Sequence, residues 1–226
     1  MKIGIIADIH ANLTAWEAVW PKLKKCKIIL NAGDLTGYYA DVNESVNFLR
    51  RNQKQIISIL GNHDRYLLKG KLPPGTNLLA QKPLALSCQK ITSANLKFLK
   101  KLNDQELLEI EGLKIGLFHG SPTNPDEYIY PDTPIGQFKN SSFDYIILGH
   151  THWPMTRKVG QTIIINPGSV GQSRDKNRKA SYAILNTRER KIEIKRVEYN
   201  IEAVCRKIEK LGFDERLAQI LRKENE

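Results

Sequence analysis

Short apolar runs recur along the chain, and several stop at a polar turn that contains glycine. Lys2–Ala7 ends at Asp8, Ile28–Ala32 at Gly33-Asp34, and Gln55–Leu60 at Gly61-Asn62-His63-Asp64. These runs have the length and branched composition of buried strands. Between them, Ala15 to Lys25 reads as a helix interrupted at Pro21, because proline removes a helical donor. Asp41 followed by Glu44 has the spacing of a capping box and opens a helix through Arg51. Arg65 to Leu79 is less regular and holds Pro73, Pro74 and Gly75. Thr92 or Ser93 caps a helix through Lys101, and Leu107–Glu111 with Leu113–Phe118 form a hairpin about Gly112. A proline-rich loop, Ser121 to Pro134, follows His119-Gly120. Asp144–Leu148 and Gln161–Ile165 are further strands, ending at Gly149-His150-Thr151-His152 and Asn166-Pro167-Gly168-Ser169. Ala180–Asn186 and Lys191–Val197 read as two more strands, antiparallel, and Ile201 to Leu211 as a closing helix before a polar tail.

Strands alternating with helices early, and hairpins later, predict a layered α/β fold with mixed sheets. In such folds ligands gather at the carboxyl ends of strands. The 226 residues suit one domain, 1–226, with 65–111 as a lid-like insertion. No apolar run approaches the roughly 18–20 residues of a membrane span. The opening segment lacks a small-residue cleavage pattern, so it reads as a first strand and the protein as cytoplasmic. Hydrophobic residues make up 41% and charged residues 26%, as in ordinary globular proteins. The three cysteines, Cys26, Cys88 and Cys205, are far apart and include no Cys-x-x-Cys, which speaks against a disulfide framework or a thiolate zinc site. A net charge of +11 favours anionic substrates. Nucleic acid is compatible with that charge but no motif supports it, and the basic runs near the C-terminus read as solvated faces.

The strand ends carry the chemistry. They deliver Asp8 and His10, Asp34, then Asn62, His63 and Asp64, then His119, and finally His150 and His152. All five histidines of the chain lie in these turns. Imidazole, carboxylate and amide oxygen without thiolate suit manganese, iron, zinc, cobalt or nickel, and manganese is the ion expected. The donors are too many for one ion with open positions, and two ions sharing a carboxylate fit better. Glycines at 33, 61, 120 and 149 adjoin these residues and allow tight turns.

Asp8-Ile9-His10, Gly33-Asp34, Gly61-Asn62-His63-Asp64, Phe118-His119-Gly120 and Gly149-His150-Thr151-His152 together resemble the calcineurin-like metallophosphoesterases. Gly33-Asp34-Leu35-Thr36-Gly37-Tyr38, Asp41-Val42-Asn43-Glu44 and Asn166-Pro167-Gly168-Ser169-Val170-Gly171 are similar to the prokaryotic YfcE-type branch. The likeness is greater to its longer members, often labelled diadenosine tetraphosphatase- or protein-phosphatase-related. The resemblance implies a four-layer αββα sandwich of two mixed β-sheets flanked by helices. It implies one metal on Asp8, His10, Asp34 and His152, and a second on Asp34, Asn62, His119 and His150. It leaves His63 free of metal, facing the phosphate as general acid, with Asp64 orienting and charging it. Two such ions roughly 3.5–4 Å apart would share a hydroxide that attacks phosphorus in line.

The expected activity is hydrolysis of phosphate mono- or diesters, with a small-molecule phosphate ester as partner. The alternatives are a nuclease or a dinucleoside polyphosphate hydrolase of the same superfamily. A protein-binding scaffold on this fold is a further one, as in the retromer subunit that lacks the catalytic histidine. A homo-oligomer is left open. Asn12, Tyr38 and Arg65 adjoin the ligand turns and are candidates for substrate contact, as is Tyr39. Ala11 replaces a glycine frequent in relatives, which implies that its backbone does not need a positive φ or tolerates one poorly. Trp153 either walls the pocket or packs in the core, and the Asn166-Pro167-Gly168-Ser169 turn reads as structural.

Overall fold

The computed structural model describes residues 1–223. Ten strands lie along the chain: β1 (Lys2–Ile6), β2 (Ile28–Asn31), β3 (Ile56–Ser58), β4 (Gln105–Ile110), β5 (Leu113–Phe118), β6 (Tyr145–Ile147), β7 (Met155–Val159), β8 (Thr162–Asn166), β9 (Ala180–Asn186) and β10 (Lys191–Val197). They form two five-stranded sheets, ordered β10-β9-β1-β2-β3 and β4-β5-β6-β8-β7. Each sheet has three parallel strands, β1-β2-β3 in one and β5-β6-β8 in the other. Antiparallel strands complete the edges.

Side chains alternate across a strand, and here both faces of the central strands are apolar. Ile3, Ile5 and Ala7 meet Leu113, Ile115 and Leu117 between the sheets, with Leu30, Ile147, Ile165 and Leu185 in the same layer. The opposite face of the first sheet, with Ile6, Ile29 and Ile56, packs under helices through Trp16, Val19, Val46 and Leu49. The outer face of the second sheet, Ile146, Leu148 and Ile164, is covered by Ile129, Ile135 and Phe138 from the segment after His119. This is the layered α/β fold with mixed sheets that the strand pattern predicts, arranged as the two-sheet sandwich that the resemblance implies.

Seven α-helices occur among the described residues: α1 (Leu13–Leu23), α2 (Val42–Arg51), α3 (Asn62–Lys69), α4 (Gln81–Lys90), α5 (Ser93–Leu99), α6 (Ile201–Lys210) and α7 (Arg216–Arg222). Several depart from expectation. Pro21 does not break α1, which runs on through it to Leu23 although proline offers no amide donor there. Asp41 makes no side-chain cap on α2; its carboxylate takes the Lys207 ammonium instead, at 2.6 and 2.8 Å. Thr92 does cap α5, accepting from the Asn95 amide. The stretch expected to be irregular begins inside α3, and the polar tail contains α7, which buries Leu217, Ala218 and Leu221. Residues 224–226 of that tail lie outside the described residues. Within 65–111, β4 is an edge strand of the second sheet, and α4 and α5 pack near α2 and α3. No described helix is long and apolar enough to cross a membrane.

Candidate metal centre

The carboxyl ends of the parallel strands from both sheets open at one place. Asp8, His10, Asp34, His150 and His152 there hold left-handed backbones, with φ between 52° and 68°. Asp and His tolerate this region better than most residues. Ala11 has no such excuse, yet it adopts φ 57°, against the expectation that its position needs no positive φ. Main-chain bonds impose it. His10 and Ala11 donate to the carbonyls of Asp34 and Leu35, and Tyr39 and Asp41 donate back to those of His10 and Ala11. The 166–172 turn braces the same place: Ser169 Oγ and the Gly171 amide donate to the Asp8 carbonyl, and Asn166 Nδ2 donates to the Gly149 carbonyl. A side chain at Gly61 would put its Cβ 2.0 Å from Asp34 Oδ1, so only glycine lets the β2 and β3 turns touch.

Three imidazoles are fixed from behind. Nδ1 of His119, His10 and His152 lies 2.7, 3.2 and 2.6 Å from the carbonyls of Ala32, Thr36 and Gln172. A carbonyl only accepts, so Nδ1 carries a hydrogen in each ring and Nε2 is the nitrogen turned inward. Burial holds His10 and His152 well below the usual imidazole range, so both rings are neutral. Their Nε2 atoms nonetheless face each other at 2.9 Å. Two bare lone pairs at that distance repel unless a cation lies between them. His119 differs: burial disfavours its charged form, but Asp34, Asp8 and the Ala32 carbonyl together lift it to about 9. Its Nε2 is 2.9 Å from Asn62 Oδ1 and 3.4 Å from Asp34 Oδ2. Burial, reinforced by Asp34, pushes Asp8 up to about 8. Asp8 Oδ2 and His150 Nε2 are buried without a hydrogen-bond partner. Donor atoms of Asp8, His10 and His152 lie within 4.8 Å of one another, as do those of Asp34, His119 and His150. Either group could hold a metal ion, and the donor chemistry fits a cation in both.

The family model of the calcineurin-like phosphoesterase superfamily domain matches residues 1–190. The chain belongs to that superfamily. It is 35% identical to the uncharacterized protein MJ0912 of Methanocaldococcus jannaschii, over 97% of this chain and 96% of the relative. The crystal structure of a metallophosphoesterase from Sphaerobacter thermophilus superposes with a TM-score of 0.85 at 30% identity, covering 98% of both chains. YfcE, a phosphoesterase from E. coli, shares the fold at a TM-score of 0.52 and 18% identity, over 88% of this chain and all of its own.

The remaining candidates sort differently in this calcineurin-like chain. The His63 amide donates to Asp34 Oδ1 at 2.8 Å, and its ring lies 4.6 Å from that of Tyr38 and 4.9 Å from that of His10. Burial pulls His63 down to about 4, with Asp34 acting in the opposite sense. A His63 nitrogen also lies within 4.8 Å of donor atoms of His10 and Asp34. Asp64 does not reach the ring as expected. Its carboxylate accepts from the amides of Leu35, Thr36 and Gly61 and from the Thr36 hydroxyl, which staples the Asp34 turn to the start of α3.

Asn12 is fully buried and spent on structure: Oδ1 caps α1 at Ala15, and Nδ2 donates to the Gly171 carbonyl. Arg65 is spent on ion pairs with Asp126 and, at 3.6 Å, with Asp104. Tyr38 remains beside His63, while the Tyr39 hydroxyl accepts from Gln172. Trp153 is 37% exposed and so is not core. Arg174 is a further residue at the site. It donates to the Tyr38 hydroxyl at 3.2 Å, and its guanidinium lies 6.0 Å from the Tyr38 ring centre. Nothing in Ser173-Arg174-Asp175-Lys176 distinguishes it from a solvated charge run.

Proposed function

We infer that this protein hydrolyses phosphate mono- or diesters with a pair of divalent ions, manganese foremost. The observation that carries this reading is the 2.9 Å approach of two neutral Nε2 atoms, His10 and His152, beside the unpartnered Asp8 carboxylate oxygen. Asp8, His10, His152 and Asp34 would hold one ion, and Asp34, Asn62, His119 and His150 the other. The ions supply Lewis acidity toward phosphate oxygens and an acidified water.

The chain's own residues then divide the rest. Asp34 lies between the two groups, with Oδ2 3.7 Å from His10 and 3.4 Å from His119, as a shared ligand requires. His63 faces the ester and hands its proton to the departing oxygen. Its buried ring favours the neutral form. The negative charge of a bound phosphate, rather than Asp64, therefore stabilises the imidazolium. Arg174 places a fixed positive charge beside Tyr38, suited to a non-bridging phosphate oxygen. Because His63 and every ligand are present, a purely protein-binding role for this surface is the weaker reading.

Chelation tests it. Stripping the metals should abolish hydrolysis of aryl phosphate mono- and diesters, and adding Mn²⁺ should restore it. Full activity in a verified metal-free protein would sink the mechanism.

A further inference from the structure

Five large apolar residues are notably exposed among the described residues; of these, Tyr128 stacks on His150, Tyr130 lies against Tyr128, and Trp153 follows His152 in the chain. Tyr128 and Tyr130 flank Ile129, which is 2% exposed and packs on the outer face of the second sheet. In an extended segment this alternation puts both tyrosines on the same side. Their rings are nearly parallel, at 9° with centroids 5.9 Å apart. Tyr128 also stacks on His150, with centroids 3.8 Å apart and a tilt of 31°. One face of Tyr128 therefore rests on the wall of the metal centre, yet the residue is 48% exposed.

The loop that presents these rings is pinned. It folds back on Gly120, where a Cβ would meet the Asn124 carbonyl and the Glu127 amide at 2.7 Å. Asn124 accepts from the amides of Ser121 and Glu127, and Thr133 Oγ1 accepts from the Tyr130 amide. Asp126 pairs with Arg65, two residues after His63. A folded loop that keeps two parallel aromatic rings in water beside a catalytic centre is poorly explained by packing. It is well explained as a surface awaiting another flat ring.

We propose that Tyr128, seconded by Tyr130, is a stacking subsite for a planar aromatic group carried by the phosphate ester, such as a nucleobase or an aryl ring. The proposal rests on the phosphoesterase reading and adds the shape of the group that the phosphate bears. Phosphate held at the centre leaves its organic substituent at the rim, where the tyrosines stand. Stacking tolerates any flat ring, so the subsite selects planarity and not base identity.

The test is calorimetric binding of two non-hydrolysable probes, naphthylmethylphosphonate and butylphosphonate, to the Mn²⁺-loaded protein. The naphthyl probe should bind about tenfold tighter, within the range of one aromatic stack. Tyr128→Leu should erase the preference while leaving butylphosphonate affinity and metal content unchanged. Tyr128→Trp should keep the preference, and Tyr130→Leu should reduce it. Equal affinity of the wild type for both probes overturns the subsite alone. Failure of both probes to bind strikes the phosphoesterase reading and the subsite with it. A parallel loss of both affinities in Tyr128→Leu would mean that the tyrosine merely supports His150. A change in sedimentation with the preference intact would mean that the rings serve contact between copies. Either result also overturns the proposal.

Discussion

On the floor of the site, six non-glycine residues hold left-handed backbones, and His10, His119 and His152 each tie one ring nitrogen to a main-chain carbonyl. On the rim, Tyr128 and Tyr130 are 48% and 36% exposed, and their loop is fastened by Ile129, by the ion pair of Asp126 with Arg65 and by the hydrogen bonds at Asn124 and Thr133. A left-handed backbone costs of order 1–2 kcal/mol per residue, so the floor is strained and cross-braced. The rim carries no positive-φ residue between 121 and 134. The contrast separates two tasks. Ligand atoms must converge within fractions of an ångström, and backbone strain is tolerated to achieve it. A surface that sorts substituents needs only the right shape.

The floor can be broken from outside the ligand set. Gly61→Ala should be the most damaging change, because its Cβ would lie 2.0 Å from Asp34 Oδ1. Displacing that carboxylate by about 1 Å should cost on the order of 10²-fold or more in kcat. Elemental analysis should show metal loss alongside, and normal metal with normal rate would refute the shared role of Asp34. His63→Gln sharpens the line between holding metal and using it. The rate should fall by about 10²–10⁴ with metal content intact. Because a His63 nitrogen lies near donor atoms of His10 and Asp34, loss of metal in this variant would instead make it a ligand.

The smallest effect is on stability. Ala11→Gly should relieve the one strained floor residue that is neither Asp nor His. A gain of about 1 kcal/mol is expected, or roughly 2–4 °C in Tm. Unchanged or lower Tm would show that the surrounding main-chain bonds already remove the penalty.

Much of the floor was legible in the sequence because it is written in local code. Isoleucine-rich runs ending in glycine and a donor residue mark a buried parallel strand and its carboxyl end. All the ligand candidates were read that way, and the structure brings their side chains together. What was not legible depends on distant chain. Arg174 looks like any residue of a basic loop until β9 returns beside β1 and sets it over Tyr38. Asp64 follows His63 in sequence, yet its carboxylate is drawn to three amides, two of them from the turn after β2. Helix α4 begins Gln-Lys-Pro and has no clear apolar stripe, and α7 spans seven residues, too short for periodicity to declare itself. Strand β7 is a half-buried edge whose lysine and arginine read as loop.

The pairing of β1 with β9 has a consequence for how the chain is assembled. Lys2 sits opposite Asn186, and the Asp8 turn takes hydrogen bonds from Ser169 and Gly171. The first sheet therefore stays open on one side until residues 180–186 have emerged from the ribosome. Contacts of such long sequence separation are slow to form. Asp8 and His10 are synthesised more than a hundred residues before His152, so the pocket they share can close only late. Acquisition of metal is thus expected to mark the end of folding rather than to nucleate it.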